Sequence, residues 1–393
     1  MRRAEIDGSP KTPAHVVIAG AGFAALETVL ALRALAPERV RVTLVSPAST
    51  LSYRPAATRE ACGGTPSRAY DLAAIADDLR VTYHRARLEA VASAQKWLRL
   101  ASGRKLSYDA LVLAIGARAR AGIAGALTFR DQRDVPAFRR LLAQADAGAV
   151  RRLVFAVPSA CSWPLPLYEL ALLSATHAQE RQAAVQITIV TPEPAPLAVF
   201  GPRAARLVAG LLDDLHVRFV GRTAGVNVRR DGALVTAFDA PIAADRVVAV
   251  PQLTAQRITG VPASWWGFVP TDISGRVEGL GDVYAAGDMT AFPIKQGALA
   301  AQQADRVANA IVEGLGVPTV KARTDRILLA RLLGGERALC LRTELDESGQ
   351  PTAATIEHIE TRNVERSAKV FGQYLTPYLE RMPPTTTSPL AAA

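Results

Sequence analysis

Residues 15–32 read HVVIAGAGFAALETVLAL. The apolar run His15 to Gly20 ends in glycine, as a buried parallel strand does. A helical pattern follows from Phe23 to Leu35, and a second apolar run, VRVTLVS, spans Val40 to Ser46. This predicts a β–α–β unit whose first turn is Gly20-x-Gly22-x-x-Ala25. Gly20 permits the tight turn and Gly22 lets the backbone approach a pyrophosphate. Ala25 stands where a small residue allows close helix–strand packing. Phe23 and Ala24 open the helix, whose N-terminus would stabilise phosphate charge. A strand–helix turn without a ligand is the plain alternative. The acidic residue expected after the second strand is absent, and Ser46-Pro47 stands there. Serine can still bond a ribose, but the change weakens the case for NAD at this turn.

Two distant segments extend the reading. VYAAGD, Val283 to Asp288, is a short strand ending at Gly287-Asp288, and YDALVLAIGA runs from Tyr108 to Ala117. With the first turn, these three elements resemble, in order and spacing, the two-part FAD site and third motif of the pyridine-nucleotide–disulfide oxidoreductase superfamily. Ile115 takes the place of the usual threonine. The resemblance implies that Asp288 binds the ribityl chain. It also implies FAD contacts at Leu88, Ala114 and Gly116.

Finer likeness points to one branch. GFAALE, residues 22–27, is similar to a run of type II NADH dehydrogenases. The segment 42–64 resembles sulfide:quinone oxidoreductases, where a serine also follows the second strand. There a stretch with an aromatic residue shortly before a proline approaches the flavin, which here implies Tyr53, Arg54 and Pro55. Phe292 to Gly297, FPIKQG, resembles the same branch. The likeness spans about 14–318 and weakens in the middle and at the C-terminus.

Lys295 and the helix start at Gln296-Gly297 have a direct physical reading. Reduced flavin carries negative charge at its N1/C2-carbonyl edge. A cation and aligned N–H groups there would stabilise the anion. The other reading is an ordinary surface lysine, but lysine is rare in this chain, six among 46 basic residues.

A second strand–turn–helix unit begins at Arg152 (RLVFAV), yet its turn, PSACSWPLPLYELAL, contains no glycine. Pro158, Pro164 and Pro166 stiffen it and Trp163 fills it, which disfavours tight NAD(P)H binding. Cys161 lies in this turn just before a helix start, where a helix dipole would lower a thiol pKa. In sulfide:quinone oxidoreductases a cysteine of the corresponding turn works with a second cysteine near a C-terminal hairpin. The corresponding place here is near Ala330, and Cys340 lies a strand further on, so that relay is incomplete or rearranged. A lone cysteine also reads as a packing residue.

Composition excludes other classes. Net charge is +10 over 393 residues. The arginines are scattered and aromatics make up only 6%, so no nucleic-acid module is expected. The three cysteines and five histidines show no ligand spacing, which excludes a zinc or disulfide scaffold and leaves no metal site expected. Residues 1–13 read as a disordered leader without signal-peptide character, and no run is apolar enough to span a membrane. The default compartment is the cytoplasm.

The remaining chain is predicted as helices at 68–80, 132–148, 165–179, 203–215, 296–314 and 364–381. A hairpin is expected at 325–345. The last helix carries an apolar face through residues 370, 371, 374, 375, 378, 379 and 382. Two roles fit it: a cap on the flavin domain covering the isoalloxazine, which is favoured, or a peripheral contact with the inner face of the cell membrane. The expected fold is α/β, with two Rossmann-like domains of three-layer ββα architecture and a small C-terminal α+β cap. The domains are placed at 14–125 plus 246–318 for FAD, 126–245 for the second unit, and 319–393 for the cap. The expected function is two-electron transfer from a reduced small-molecule donor, a sulfur species being one candidate, through FAD to a quinone or similar acceptor. An NAD(P)H:quinone-type dehydrogenase and a non-catalytic flavin scaffold are the alternatives. A homo-oligomer is compatible with all three.

Overall fold

The computed structural model describes residues 12–319, 325–334, 337–359 and 372–385. The chain builds two five-stranded parallel sheets. In the first, the strand order is Val283–Ala285, Ala110–Leu113, Ala14–Ala19, Val40–Val45 and Thr82–His84. The central strand shows why this sheet has two covered faces. Val16 and Ile18 pack with Leu26, Val29, Ala304 and Val307 of the helices Phe23–Leu35 and Gly297–Gly314. Val17 and Ala19, on the other face, pack with Leu98, Leu100 and Leu106 of an antiparallel meander over residues 88–107. Side chains alternate across a strand, so a continuously apolar run must be covered on both sides. The result is the ββα layering of a Rossmann-type fold.

The second sheet has the order Leu127–Thr128, Arg246–Ala249, Arg152–Ala156, Gln186–Val190 and Arg218–Val220. Leu153 and Phe155 face the helices, whereas Val154 and Ala156 face the hairpin that contains Leu234. The strand Arg246–Ala249 pairs with Arg152–Ala156 inside this sheet. The expected boundary at residue 246 therefore cuts through the second unit, whose closing strand begins there.

Three local expectations are corrected. The helix read over 68–80 begins as a strand: Ala69–Asp71 pairs with Thr50–Ser52. Asp71 then caps the helix Leu72–Asp78 by accepting from the Ala74 N–H at 2.8 Å. The expected hairpin gains a third strand, Pro351–Ile359, beside Arg326–Gly334 and Arg337–Leu345. The last helix spans Leu375–Arg381, while residues 364–371 of the expected helix lie outside the described residues. Pro377 falls in its first turn, where a missing N–H costs nothing.

Within residues 372–385 that last helix contributes nothing to the cavity at the carboxyl ends of the first sheet. Leu375, Tyr378 and Leu379 are buried against the first domain. The Tyr70 hydroxyl donates to the Leu379 carbonyl and the Tyr378 hydroxyl to Asp78. Its entry is held by Glu27, buried on the first helix, which accepts from the N–H groups of Tyr374 at 2.8 Å and Leu375 at 2.7 Å. Among the described residues no helix is long and apolar enough to cross a membrane.

Asp305 hydrogen-bonds Glu27, and burial together with that carboxylate holds Asp305 protonated well above the ordinary range. The unfolded chain releases this proton near pH 4, so the group's contribution to stability falls as pH rises above that value. Asp305→Asn is expected to flatten the decline of melting temperature between pH 5 and 8. An unchanged slope would place the titration elsewhere.

Candidate functional site

A cavity of about 940 Å³ opens along the carboxyl ends of the first sheet. Gly20, Gly22, Phe23 and Ala24 line it from the first turn, and Ser46 and Pro47 from the end of the second strand. Arg54 and Pro55, Leu88, Ala114 and Gly116 add further wall. Gly287, Asp288, Lys295 and Gly297 complete it from the returning segment. Thus residues spread over nearly 280 positions meet because parallel strands deliver all their following loops to one sheet edge.

Gly20 has φ +124°, and a Cβ there would stand 2.0 Å from the Ala114 carbonyl oxygen. Only glycine lets the two strand ends pass this closely. Gly22 differs: a Cβ there would meet nothing within 4 Å. It would project into free space beside a helix terminus that no side chain caps.

Four predicted site residues do not line the cavity, and the first, Tyr53, packs edge-on to Phe23 with ring centres 5.7 Å apart. Ala25 is fully buried in helix–strand packing, the role its small side chain suggests. Gln296 caps the helix Gly297–Gly314, accepting from Ala298 N–H and Leu299 N–H, and donates to the Leu329 carbonyl. Cys161 packs against the core of the second unit beside Trp163. The helix starts only at Leu165, and the dipole's influence is confined to the first turn. Burial dominates and pushes the thiol up to about 12, as it does for Cys62. These surroundings favour the neutral thiol over the activated one expected from sequence. Alkylation of Cys161 and Cys62 by iodoacetamide at neutral pH is expected to be about 10³-fold slower in the folded than in the unfolded protein. Equal rates would contradict this burial.

Lys295 and Asp288 are the charged wall residues of the returning segment. Lys295 is 7% exposed. Its ammonium donates to the Thr290 carbonyl and lies 4.0 Å from the ring centre of Phe268. Burial lowers its pKa to about 8, with nearby Asp288 opposing the fall. Burial raises the Asp288 carboxyl, while Lys295 and Arg54 pull it back. The cation is thus held poised close to neutral pH.

Other parts of the wall had no signal in the sequence. Ser67 and Arg68 precede the strand Ala69–Asp71 and Ala69 opens it, while Asp131, Gln132 and Arg133 come from the turn before the helix Val135–Asp146. Asp131 takes a two-pronged contact from Arg133, at 2.9 and 2.7 Å. Arg87, Arg118 and Arg257 add positive charge. None of these lies in a recognisable motif; tertiary folding alone brings them here.

The second unit lacks such a cradle at its first turn. Trp163 packs edge-on to Phe200, with centroids 6.1 Å apart. Glu193 lies just past the strand Gln186–Val190, the place of a ribose-binding acid. It instead accepts from the Tyr168 hydroxyl at 2.6 Å and the Thr191 hydroxyl at 2.9 Å.

The donor set around the first turn fits a dinucleotide. An uncapped helix N-terminus and the open space at Gly22 suit a pyrophosphate. Ser67 Oγ is buried in the wall with no hydrogen-bond partner among the described residues. Fold and site together define a protein of two Rossmann-type units with a dinucleotide-sized cavity on the first. Residues 14–157 match the family model described as pyridine nucleotide-disulphide oxidoreductase. That match covers the first strand–turn–helix unit and the strands after it, and what the family implies for this part of the chain is FAD binding.

Solved structures share the fold. The sulfide:quinone oxidoreductase of Aquifex aeolicus has a TM-score of 0.78 at 19% identity, covering 93% of this chain and 90% of that one. NDH2 of Plasmodium falciparum, in complex with NADH, gives 0.66 at 12%, covering 90% and 93%. A ferredoxin reductase of Rhodopseudomonas palustris gives 0.64 at 18%, covering 84% and 82%. Among curated proteins none matches the chain.

Proposed function

We propose that the protein passes two electrons from a reduced small-molecule donor, through FAD, to a quinone or similar acceptor. The observation that carries this reading is the buried Lys295 at the Asp288 end of a cavity suited to a dinucleotide. When bound, FAD supplies the two-electron chemistry. Gly22 and the first helix terminus hold phosphate charge, and Asp288 offers an acceptor for hydroxyl groups. Lys295, desolvated and backed by the Phe268 ring, presents a positive charge where solvent cannot screen it. Cys161 takes no part as a thiolate, so a sulfur donor would have to act without the relay of two cysteines. The occupied Glu193 and the glycine-free turn argue against NAD(P)H in its usual seat.

Anaerobic mixing of the holoprotein with sulfide, other reduced sulfur compounds, NADH and NADPH tests the reading. Bleaching of the flavin absorbance by a donor, followed by recovery on adding a soluble quinone, is the expected result. Fast bleaching by NADH would favour the NAD(P)H:quinone-type alternative. Purified protein that carries no FAD would sink both.

A further inference from the structure

Trp265 and Trp266 are 79% and 62% exposed, with ring centroids 3.7 Å apart. They occupy the two corner positions of a tight turn. The Gly267 N–H donates to the Ser264 carbonyl at 2.7 Å, and the Ser264 N–H to the Phe268 carbonyl at 2.7 Å. Corners of such turns ordinarily hold Gly, Pro, Asn, Asp or Ser. Two indoles exposed there cost solvation, and among the described residues neither is buried in a core.

The turn is firmly mounted beside the site. Phe268 lies under the Lys295 ammonium. Val269 N–H bonds the Met289 carbonyl and Ala291 N–H the Val269 carbonyl. A Cβ on Gly267 would lie 3.3 Å from Ala255 and 3.7 Å from Arg257, both of which line the cavity. Next to Arg257, Gln256 accepts from Arg118, whose strand also carries the exposed Arg120. Segments 113–124 and 251–269 together contain these three arginines and no acidic residue.

We propose that the Trp265–Trp266 turn inserts into an anionic phospholipid surface and seats that side of the cavity rim against the bilayer. Indoles favour the headgroup boundary, and arginines beside them favour anionic lipid. The shape agrees: a protruding turn tip enters a soft interface, whereas a protein partner would need a matching pocket. The C-terminal helix does not offer an equivalent surface, since Leu375, Tyr378 and Leu379 are buried on its own domain. The inference is independent of which donor or acceptor the site takes.

Flotation of the holoprotein with vesicles tests it. One set is phosphatidylcholine alone; the other contains equal parts phosphatidylcholine and phosphatidylglycerol. The wild type is expected to float with the anionic vesicles, less so at high salt. W265S/W266S is expected to lose about tenfold or more in partitioning, with FAD content and melting temperature unchanged. Brominated lipid gives a readout that needs no variant: it should quench part of the wild-type tryptophan emission. Failure of the wild type to float with either set, equal flotation of the double variant, or no quenching would each overturn the proposal. Retention on an acidic protein without vesicle binding would overturn it in favour of a protein partner. All these readouts measure binding, so they stand apart from failure of the redox reading.

Discussion

Gly20→Ala is expected to give protein that purifies without FAD and melts far below the wild type. The new methyl group would stand 2.0 Å from the Ala114 carbonyl oxygen, on a backbone with φ +124°. Two pairings are at risk there: Gly20 N–H to the Val45 carbonyl at 2.8 Å, and Ala114 N–H to the Ala19 carbonyl at 2.7 Å. Relief requires the central strands to separate at the cavity edge. Overpacking and backbone strain together cost about 4 kcal/mol or more, a large share of a domain's usual margin. Gly22→Val provides the contrast. Its φ of −87° suits any residue and no atom lies within 4 Å of a Cβ. That variant should keep its melting temperature without cofactor yet bind FAD at least about tenfold more weakly. If Gly20→Ala retained full FAD and wild-type melting, or if Gly22→Val bound FAD as the wild type does, the assignment of this turn would be wrong.

Lys295→Met is expected to slow reduction of the bound flavin by about 10²-fold, the usual loss on removing one preorganised charge donor. The pH profile is the sharper test. Burial lowers the Lys295 pKa to about 8, so the charge is present below that pH and is lost above it. The wild-type rate should therefore decline as pH rises through about 8, and Lys295→Met should show no such break. Lys295→Arg keeps its charge to higher pH, so it should move the break upward even if its size lowers the rate. A break near 8 persisting in Lys295→Met would assign it to another group. An unchanged rate in that variant would remove Lys295 from the chemistry.

Much of the site was legible because its parts obey local rules. A strand ending in Gly20, an aspartate ending a short strand at 288, and a lysine before a helix can each be seen within a few residues. Cys161 shows the limit of such rules. Proximity to a helix start suggested an activated thiol, but the helix begins only at Leu165 and burial outweighs the dipole. Gln296 shows another limit: the same residue that could face a ligand instead caps its own helix. The strand Ala69–Asp71 was hidden because its partner, Thr50–Ser52, lies across an intervening helix, and pairing, not propensity, decides strands this short.

The amino-acid pattern alone determined the Rossmann-type architecture and the close-packed turn at Gly20. Continuous apolar runs must be covered on both faces, and glycine is compulsory where two backbones nearly touch. Tertiary structure alone decided the rest. It joined Ser67, Asp131 and Arg257 to the cavity wall, buried Lys295 deeply enough to move its pKa, and turned the apolar face of the last helix inward. It also left two tryptophans standing at the rim. Burial and distance are properties of three-dimensional neighbours, and a neighbour two hundred residues away leaves no mark on the local sequence.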